Sequence, residues 1–316
     1  MSRFLKIIAF SCFFIGVVLI VTDYFPMDFK EQKQNIQFEK KWENKKSKKT
    51  RILFVGDMMF DRRIREITEK NGGDYIFSCV DDLLKRADVV VGNLEGPITS
   101  NKSVSKGSVV GSPNNYRFTF PTTTAGLLFK HNIKIVNLGN NHIGNFGSEG
   151  FLETIKFLEG SGVGYFGGLK GEEKIYFENI GGVNFSFISF NAFGGDDFDL
   201  VARKIKAEDD FGNKVIVFTH WGEEYKEDVD SLRKIAEVFI ENGADLIVGS
   251  HPHIVLPNEN IDGVPVYYSL GNFIFDQYWE DGVRNGLAVL VEFDGDSIKD
   301  FKYPVEIFRD GRVCLK

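Results

Sequence analysis

From Arg51 onward the chain repeats one texture: a short, β-branched, apolar run that stops abruptly at polar residues. The runs are "RILFVGD", "ADVVVGNLE", "IKIVNLGNNH", "KVIVFTHWG", "ADLIVGSHPH" and "VPVYYSLGN". Runs of this length and composition read as buried strands. Helix candidates fall between them at Asp61–Lys70, Ser148–Glu159 and Val229–Glu241. Strand and helix therefore alternate, which is the pattern of an α/β domain. Two stretches differ: "KIYFENIGGVNFSFISF" and "LAVLVEFDGDSIKDFKYPVEIF" read as hairpins turning at Gly181-Gly182 and Asp294-Gly295-Asp296. They predict a mixed or double sheet.

In open α/β folds the loops leaving the carboxyl ends of the strands converge on one edge, and ligands bind there. Taken strand by strand, those ends carry Asp57; Asn93 and Glu95; Asn140, Asn141 and His142; His220; His251 and His253; then Asn272, with Asp276 slightly beyond. Four of the chain's five histidines lie at this edge, and the fifth, His131, precedes its strand. One strand-end histidine is ordinarily a hydrogen-bonded structural residue. Imidazole, carboxylate and carboxamide arriving from several separate strands form a ligand set for a divalent metal. The expectation is a metal site with room for two ions, with Mn, Zn, Fe and Mg not distinguished. Within "GSHPHIVLP", residues two apart in an extended segment point the same way, so His251 and His253 are expected to face the site together, with Pro252 stiffening the backbone between them. A proline-bearing turn with two solvated histidines is the competing reading.

The first 23 residues carry "IIAFSCFFIGVVLIV", and Phe4 and Leu5 extend this run past Lys6. The run matches the ~17–25 residues of a spanning helix, and no small-residue cleavage site follows it. Residues 1–23, with residues 4–21 in the bilayer, are thus expected to be an uncleaved single-pass anchor. Arg3 and Lys6 assign the amino terminus to the inside and the following domain to the extracellular side. Residues 24–50 hold eight lysines against four acids and few apolar residues, and read as a charged stalk. The net charge of −7 is therefore concentrated in the remainder, residues 51–316, which makes nucleic acid an unsuitable partner. Cys12, Cys79 and Cys314 are far apart and show neither a disulfide framework nor a zinc-knuckle spacing. "GSGVGYFGG" follows a helix and not a strand, which argues against a nucleotide fingerprint, and no G-x-S-x-G elbow occurs.

Six motifs in order, "GDMMFDR", "NLEGPI", "NNHIGNFG", "HWGEEY", "GSHPHIVLP" and "YSLGNFIFDQ", resemble the capsule-synthesis CapA family of polyglutamate synthesis accessory proteins. That family is similar to the calcineurin-like metallophosphoesterases. The resemblance implies a four-layered α-β-β-α sandwich of the metallo-dependent phosphatase type with two metals at the strand ends. It makes Asp57 and His253 ligands of a first metal, Glu95 the bridging carboxylate, and Asn141, His220 and His251 ligands of a second. His142 would protonate a leaving group, and Arg62 would pair with a carboxylate or phosphate of the ligand. Asn93, Asn140 and Asn272 would support the ligands by hydrogen bonding. An anionic polymer such as poly-γ-glutamate and a membrane synthase are the partners implied.

Two positions depart from the resembled pattern. Met59 stands where phosphoesterases carry a histidine, which leaves the first metal short of a ligand unless Asp61 reaches in. Asn145 stands where capsule-family chains tend to have Asp. Two functions follow: a surface hydrolase acting on an amide or phosphoester linkage, and an anchored accessory that binds polymer without turnover.

Overall fold

In the computed structural model of the protein, residues 49–171 and 174–316 are described. The expected anchor at residues 4–21 and the stalk as far as residue 48 lie outside them. Among the described residues no helix is long and apolar enough to cross a membrane.

The chain runs β1 (Thr50–Met58), α1 (Arg62–Asn71), α2 (Asp81–Leu84), β2 (Val89–Leu94), α3 (Thr124–Lys130), β3 (Ile133–Asn137), α4 (Gly147–Gly160) and β4 (Gly164–Phe166). It continues with β5 (Tyr176–Ile180), β6 (Val183–Asn191), α5 (Phe198–Asp210), β7 (Lys214–His220), α6 (Asp230–Glu241) and β8 (Leu246–Ser250). The last elements are β9 (Asn258–Ile261), β10 (Val264–Tyr267), β11 (Asn272–Ile274), α7 (Asp281–Arg284), β12 (Asn285–Asp294), β13 (Ser297–Ile307) and β14 (Val313–Leu315). One sheet has the order β14-β13-β12-β1-β2-β3-β4, with β11 also pairing β1, and the other β5-β6-β7-β8-β10-β9. Both predicted hairpins form: Ile180 pairs with Val183 across Gly181-Gly182, and Asp294 with Ser297 across Gly295-Asp296.

The apolar runs do not alternate with polar residues because each strand is buried on both faces. On β1, Ile52 and Phe54 enter a core between the sheets, where they meet Phe187 of β6 and Ile216 and Phe218 of β7. Their neighbours Leu53 and Val55 point the other way, into a core shared with Ile64 of α1, Leu128 of α3, and Phe151 and Leu158 of α4. A third core joins Val215 and Val217 of β7 to Ile205 of α5 and Phe239 of α6. Three cores between helices, sheet, sheet and helices give four layers, and this mixed α/β arrangement fits a metallophosphatase-like fold. The first strand starts at Thr50, which is fully buried, pairs with Phe293 and donates its hydroxyl to the Ile180 carbonyl at 2.9 Å.

One expectation is corrected. Cys79 and Cys314 are joined by a disulfide across 235 residues of sequence. Sequence spacing carries no signature of so distant a pair. The partners meet because β14 closes the sheet edge beside the segment that follows α1, where residues 79 and 314 also form an isolated β-bridge. A crosslink that closes so long a loop restricts the unfolded chain strongly, and loss of a native disulfide typically costs about 2–5 kcal/mol. Cys314→Ser should therefore lower the urea midpoint of the folded domain, and dithiothreitol should lower the wild-type midpoint to match. Equal midpoints for oxidised protein, reduced protein and variant would show that the bridge contributes nothing.

Candidate metal centre

Strand register sets the edge. Asp57 of β1 lies level with Asn93 of β2 on one side and Asn272 of β11 on the other, and Asn93 is level with Asn137 of β3. In the second sheet His220 is level with Asn191 and Ser250. Gly56 makes the first row feasible, since a Cβ there would stand 1.9 Å from the Gly271 carbonyl oxygen. Any side chain would force β11 away from Asp57.

Each chemical group is then held by a specific partner. Asn93 donates to Asp57 Oδ1 at 2.8 Å, while its own oxygen accepts from Asn137 and Asn140, each at 3.2 Å. Asp57 Oδ2 accepts the backbone N–H of His251 at 3.1 Å. Asn140 also accepts the N–H groups of His142 and Ile143, which shapes the turn presenting Asn141 and His142. Asn272 uses its amide nitrogen on the carbonyls of His253 and Val283 and on Gln277 Oε1. Its oxygen accepts from His253 Nδ1 at 3.0 Å, so Nε2 of that ring is the nitrogen facing Glu95 Oε1, 3.5 Å away. Ser250 Oγ donates to the Thr219 carbonyl and so accepts from His220 Nδ1 at 2.9 Å. His220 Nε2 is left facing Asn141 Oδ1 at 3.0 Å, lone pair toward lone pair.

His251 and His253 face the site, though not by strand alternation. The second-sheet strand ends at Ser250, and both histidines adopt left-handed backbone, φ 96° and 58°. Such conformations cost of order 1–3 kcal/mol for a non-glycine residue and cluster where function fixes them. The expectation of an extended H-P-H segment is corrected: two left-handed residues flanking Pro252 turn both rings inward, to 5.9 Å between centroids.

Among the described residues, two groups of His, Asp and Glu side chains could hold a metal ion. Ligand atoms of Asp57, Glu95 and His253 lie within 4.8 Å of one another, as do those of Glu224, His251 and His253. Glu95 is wholly buried, and its Oε1 and His251 Nδ1 have no hydrogen-bond partner. Burial, then the charges of Asp57 and Glu224, push the Glu95 carboxyl well above its ordinary range. Burial also lowers His220 well below the usual imidazole value, and lowers His251 to about 3, in both cases aided by neighbouring histidines. A buried carboxylate with one partnerless oxygen, crowded by a second carboxylate and set among imidazole nitrogens, is the donor set of a cation. The residues fit a divalent metal.

Residues 51–277 match the family described as bacterial capsule synthesis protein PGA_cap. The chain belongs to this family. It is 30% identical over 260 residues to the PGA biosynthesis protein CapA of Bacillus subtilis (strain 168), a match covering 76% of this chain and 66% of that protein. It is 31% identical over 272 residues to the capsule biosynthesis protein CapA of Bacillus anthracis, covering 79% and 65%. The chain thus spans just under two thirds of the length of either relative. A solved structure described as GAP50, the anchor in the inner membrane complex of Plasmodium, is 12% identical with a TM-score of 0.42, covering 82% of this chain and 84% of that one.

Among the motif residues of this family member, His142 lies beside the carboxylates, its Nε2 4.0 Å from Glu95 Oε1. Asn145 Oδ1 accepts the Phe118 N–H at 2.7 Å, so it can only accept from His142 Nδ1 at 3.2 Å. Asn145 thus orients the ring as a carboxylate would, without supplying charge, and burial brings His142 down to about 4. Arg62 is paired with Asp276 and stands over the rings of Phe118 and Phe275 at 5.0 and 5.5 Å. Asp61 does not reach the metal edge, because its carboxylate is taken by Arg65 Nε at 2.8 Å and by the Thr119 N–H at 2.9 Å. Met59 Sδ accepts the N–H of Asp61 at 3.0 Å. Sequence reasoning missed Asn137, Ser250 and Glu224. The first two lie inside apolar runs whose polar ends were read, and Glu224 stands on a loop with no periodic signal.

His131 sits elsewhere, between Asp81 and Asp74 at 2.9 Å each and stacked on Phe77. His251→Ala should abolish most binding of Mn²⁺ or Zn²⁺ by calorimetry, whereas His131→Ala should bind as wild type. Equal loss in both would remove the strand-end assignment. His131→Ala should instead weaken the fold by about 1 kcal/mol, through loss of its two hydrogen bonds and of the buried ring stacked on Phe77, while Asp74 and Asp81 keep Lys130 and Lys85. Lys130 first and then His131 hold Asp74 below its ordinary value; Lys85 first, with His131 adding to it, does the same for Asp81. Depressed carboxyls stabilise the fold above their unfolded pKa, and that contribution disappears as pH falls through the lowered values. The stability gap between wild type and His131→Ala should therefore narrow in acid below about pH 4, which a urea titration at several pH values checks.

Proposed function

We propose that the protein serves the synthesis or export of a capsule polymer of the poly-γ-glutamate kind at the cell envelope, through a metal-dependent hydrolytic centre at the strand ends. The capsule role follows from family membership and from the two CapA relatives, and it carries an envelope location with it. The Cys79–Cys314 disulfide supports an oxidising compartment, in agreement with a domain outside the membrane. Residues 4–21 would anchor the chain there, with a membrane synthase as its partner.

The observation that carries the hydrolytic part is the pair of buried, partnerless atoms, Glu95 Oε1 and His251 Nδ1, set among the strand-end imidazoles. Asp57, Glu95 and His253 would hold one ion, and Asn141, His220 and His251 a second. A bound divalent ion supplies Lewis-acid polarisation of a carbonyl or phosphoryl group. Asn93 and Asn272 fix the orientation of Asp57 and His253, so the ligand atoms need little rearrangement. His142, oriented by Asn145, exchanges a proton through Nε2 at the leaving group. Arg62 presents its planar guanidinium beside a cleft of about 200 Å³ bordered by Tyr116, Tyr225 and Trp279, where a carboxylate of the polymer would compete with Asp276.

His142→Ala and His251→Ala, expressed in a capsule-producing strain lacking the native gene, separate chemistry from scaffolding. His251→Ala should lose metal and surface polymer together. His142→Ala should keep its metal while polymer processing slows by on the order of 10²–10⁴-fold. Normal polymer from the His142 variant would mean that the metal is structural and that the protein is a non-catalytic accessory.

A further inference from the structure

We propose that Glu224 is a metal ligand, bringing a carboxylate from the loop after β7 to the side of the centre where His253 of one ion position and His251 of the other meet. The inference rests on the metal-centre reading above and adds to it a residue outside the strand ends. Its ligand oxygen lies within 4.8 Å of ring nitrogens of both histidines, and those nitrogens lie within 4.8 Å of each other. His251 is 4% exposed and its Nδ1 has no hydrogen-bond partner, so the carboxylate approaches a buried, unsatisfied group. Among the described residues no lysine or arginine forms an ion pair with Glu224, whereas its neighbour Glu223 is paired with Lys226.

The loop is built to hold Glu224 in place. Gly222 turns with φ 81°, and Tyr225 takes a left-handed φ of 63°. The N–H of Tyr225 is bonded to the carbonyl of Pro252 at 2.9 Å, which fastens the loop to the residue between the two histidines. The Tyr225 hydroxyl accepts from Gln277, Gln277 accepts from Asn272, and Asn272 accepts from His253 Nδ1. Backbone and side chain of Tyr225 thus lead independently to the histidines that Glu224 faces. The strand-1 loop offers no substitute donor, because Met59 and Asp61 are committed to other partners. With Glu95 close enough to feel the charge of Glu224, the site joins carboxylate oxygen to imidazole nitrogen, a mixed set in which Mn²⁺ serves as a probe.

Manganese binding to the metal-stripped protein, followed by electron paramagnetic resonance and calorimetry, tests this. Glu224→Gln keeps shape and removes charge, and should weaken Mn²⁺ binding by on the order of 10²-fold or more, since even residues that merely support ligands are worth 10–100-fold. Glu224→Asp should recover part of the loss, and Glu223→Gln should bind as wild type. Wild-type affinity in Glu224→Gln, or an equal loss in Glu223→Gln, overturns the assignment while leaving the centre itself intact. Wild-type protein that binds no Mn²⁺ overturns this inference and the metal-centre reading together.

Discussion

Asp57 and Glu95 are both wholly buried, and Glu95 keeps an oxygen that no donor satisfies. Two carboxylates in a low-dielectric interior repel each other and lose hydration, an arrangement that is costly unless a proton or a cation compensates it. Much of the edge can be understood as an answer to that constraint. The amide of Asn93 and the N–H of His251 take the outer lone pairs of Asp57. Neutral imidazoles supply lone pairs where ammonium or guanidinium groups would have sealed the site with permanent charge. Arg62, the guanidinium close enough to influence Glu95, is turned instead to Asp276.

The amides form a graded support. Asn137 and Asn140 hold Asn93, Asn93 holds Asp57, and Gln277 and Asn272 hold His253. Because an amide carries donor and acceptor at fixed separation, each link in the chain dictates the orientation of the next. The geometry of the centre is therefore inherited from strand register, which the three apolar cores fix more firmly than any loop could.

How much of this was legible in the sequence follows from range. The strands and their two-sided burial appeared as uninterrupted apolar runs, and both hairpin turns as Gly-Gly and Asp-Gly-Asp. Residues at strand ends could be named because topology alone gathers them. What escaped depended on contacts without a local signal. The Cys79–Cys314 bridge spans 235 residues, and Glu224 owes its position to a backbone bond with Pro252. His251 and His253 were assigned the correct facing for an incorrect reason, since periodicity cannot foresee two left-handed residues around a proline. Met59 and Asp61 were noted as a missing and a substitute donor, but only the folded loop reveals that Met59 accepts from the Asp61 N–H while the Asp61 carboxylate is taken by Arg65 and Thr119.

β1 has a mechanical consequence. Its first residue receives the chain from residue 49, and seven residues later it bears Asp57. It lies inside its sheet, laddered to β2 on one side and to β12 and β11 on the other. Tension applied to the preceding chain while a ligand is gripped at Asp57 would run along the strand axis. The hydrogen bonds on both flanks would then be loaded in shear and share the force, where peeling would break them one at a time. A pull on residue 49 would thus leave the carboxylate of Asp57 in register with Asn93 and Asn272.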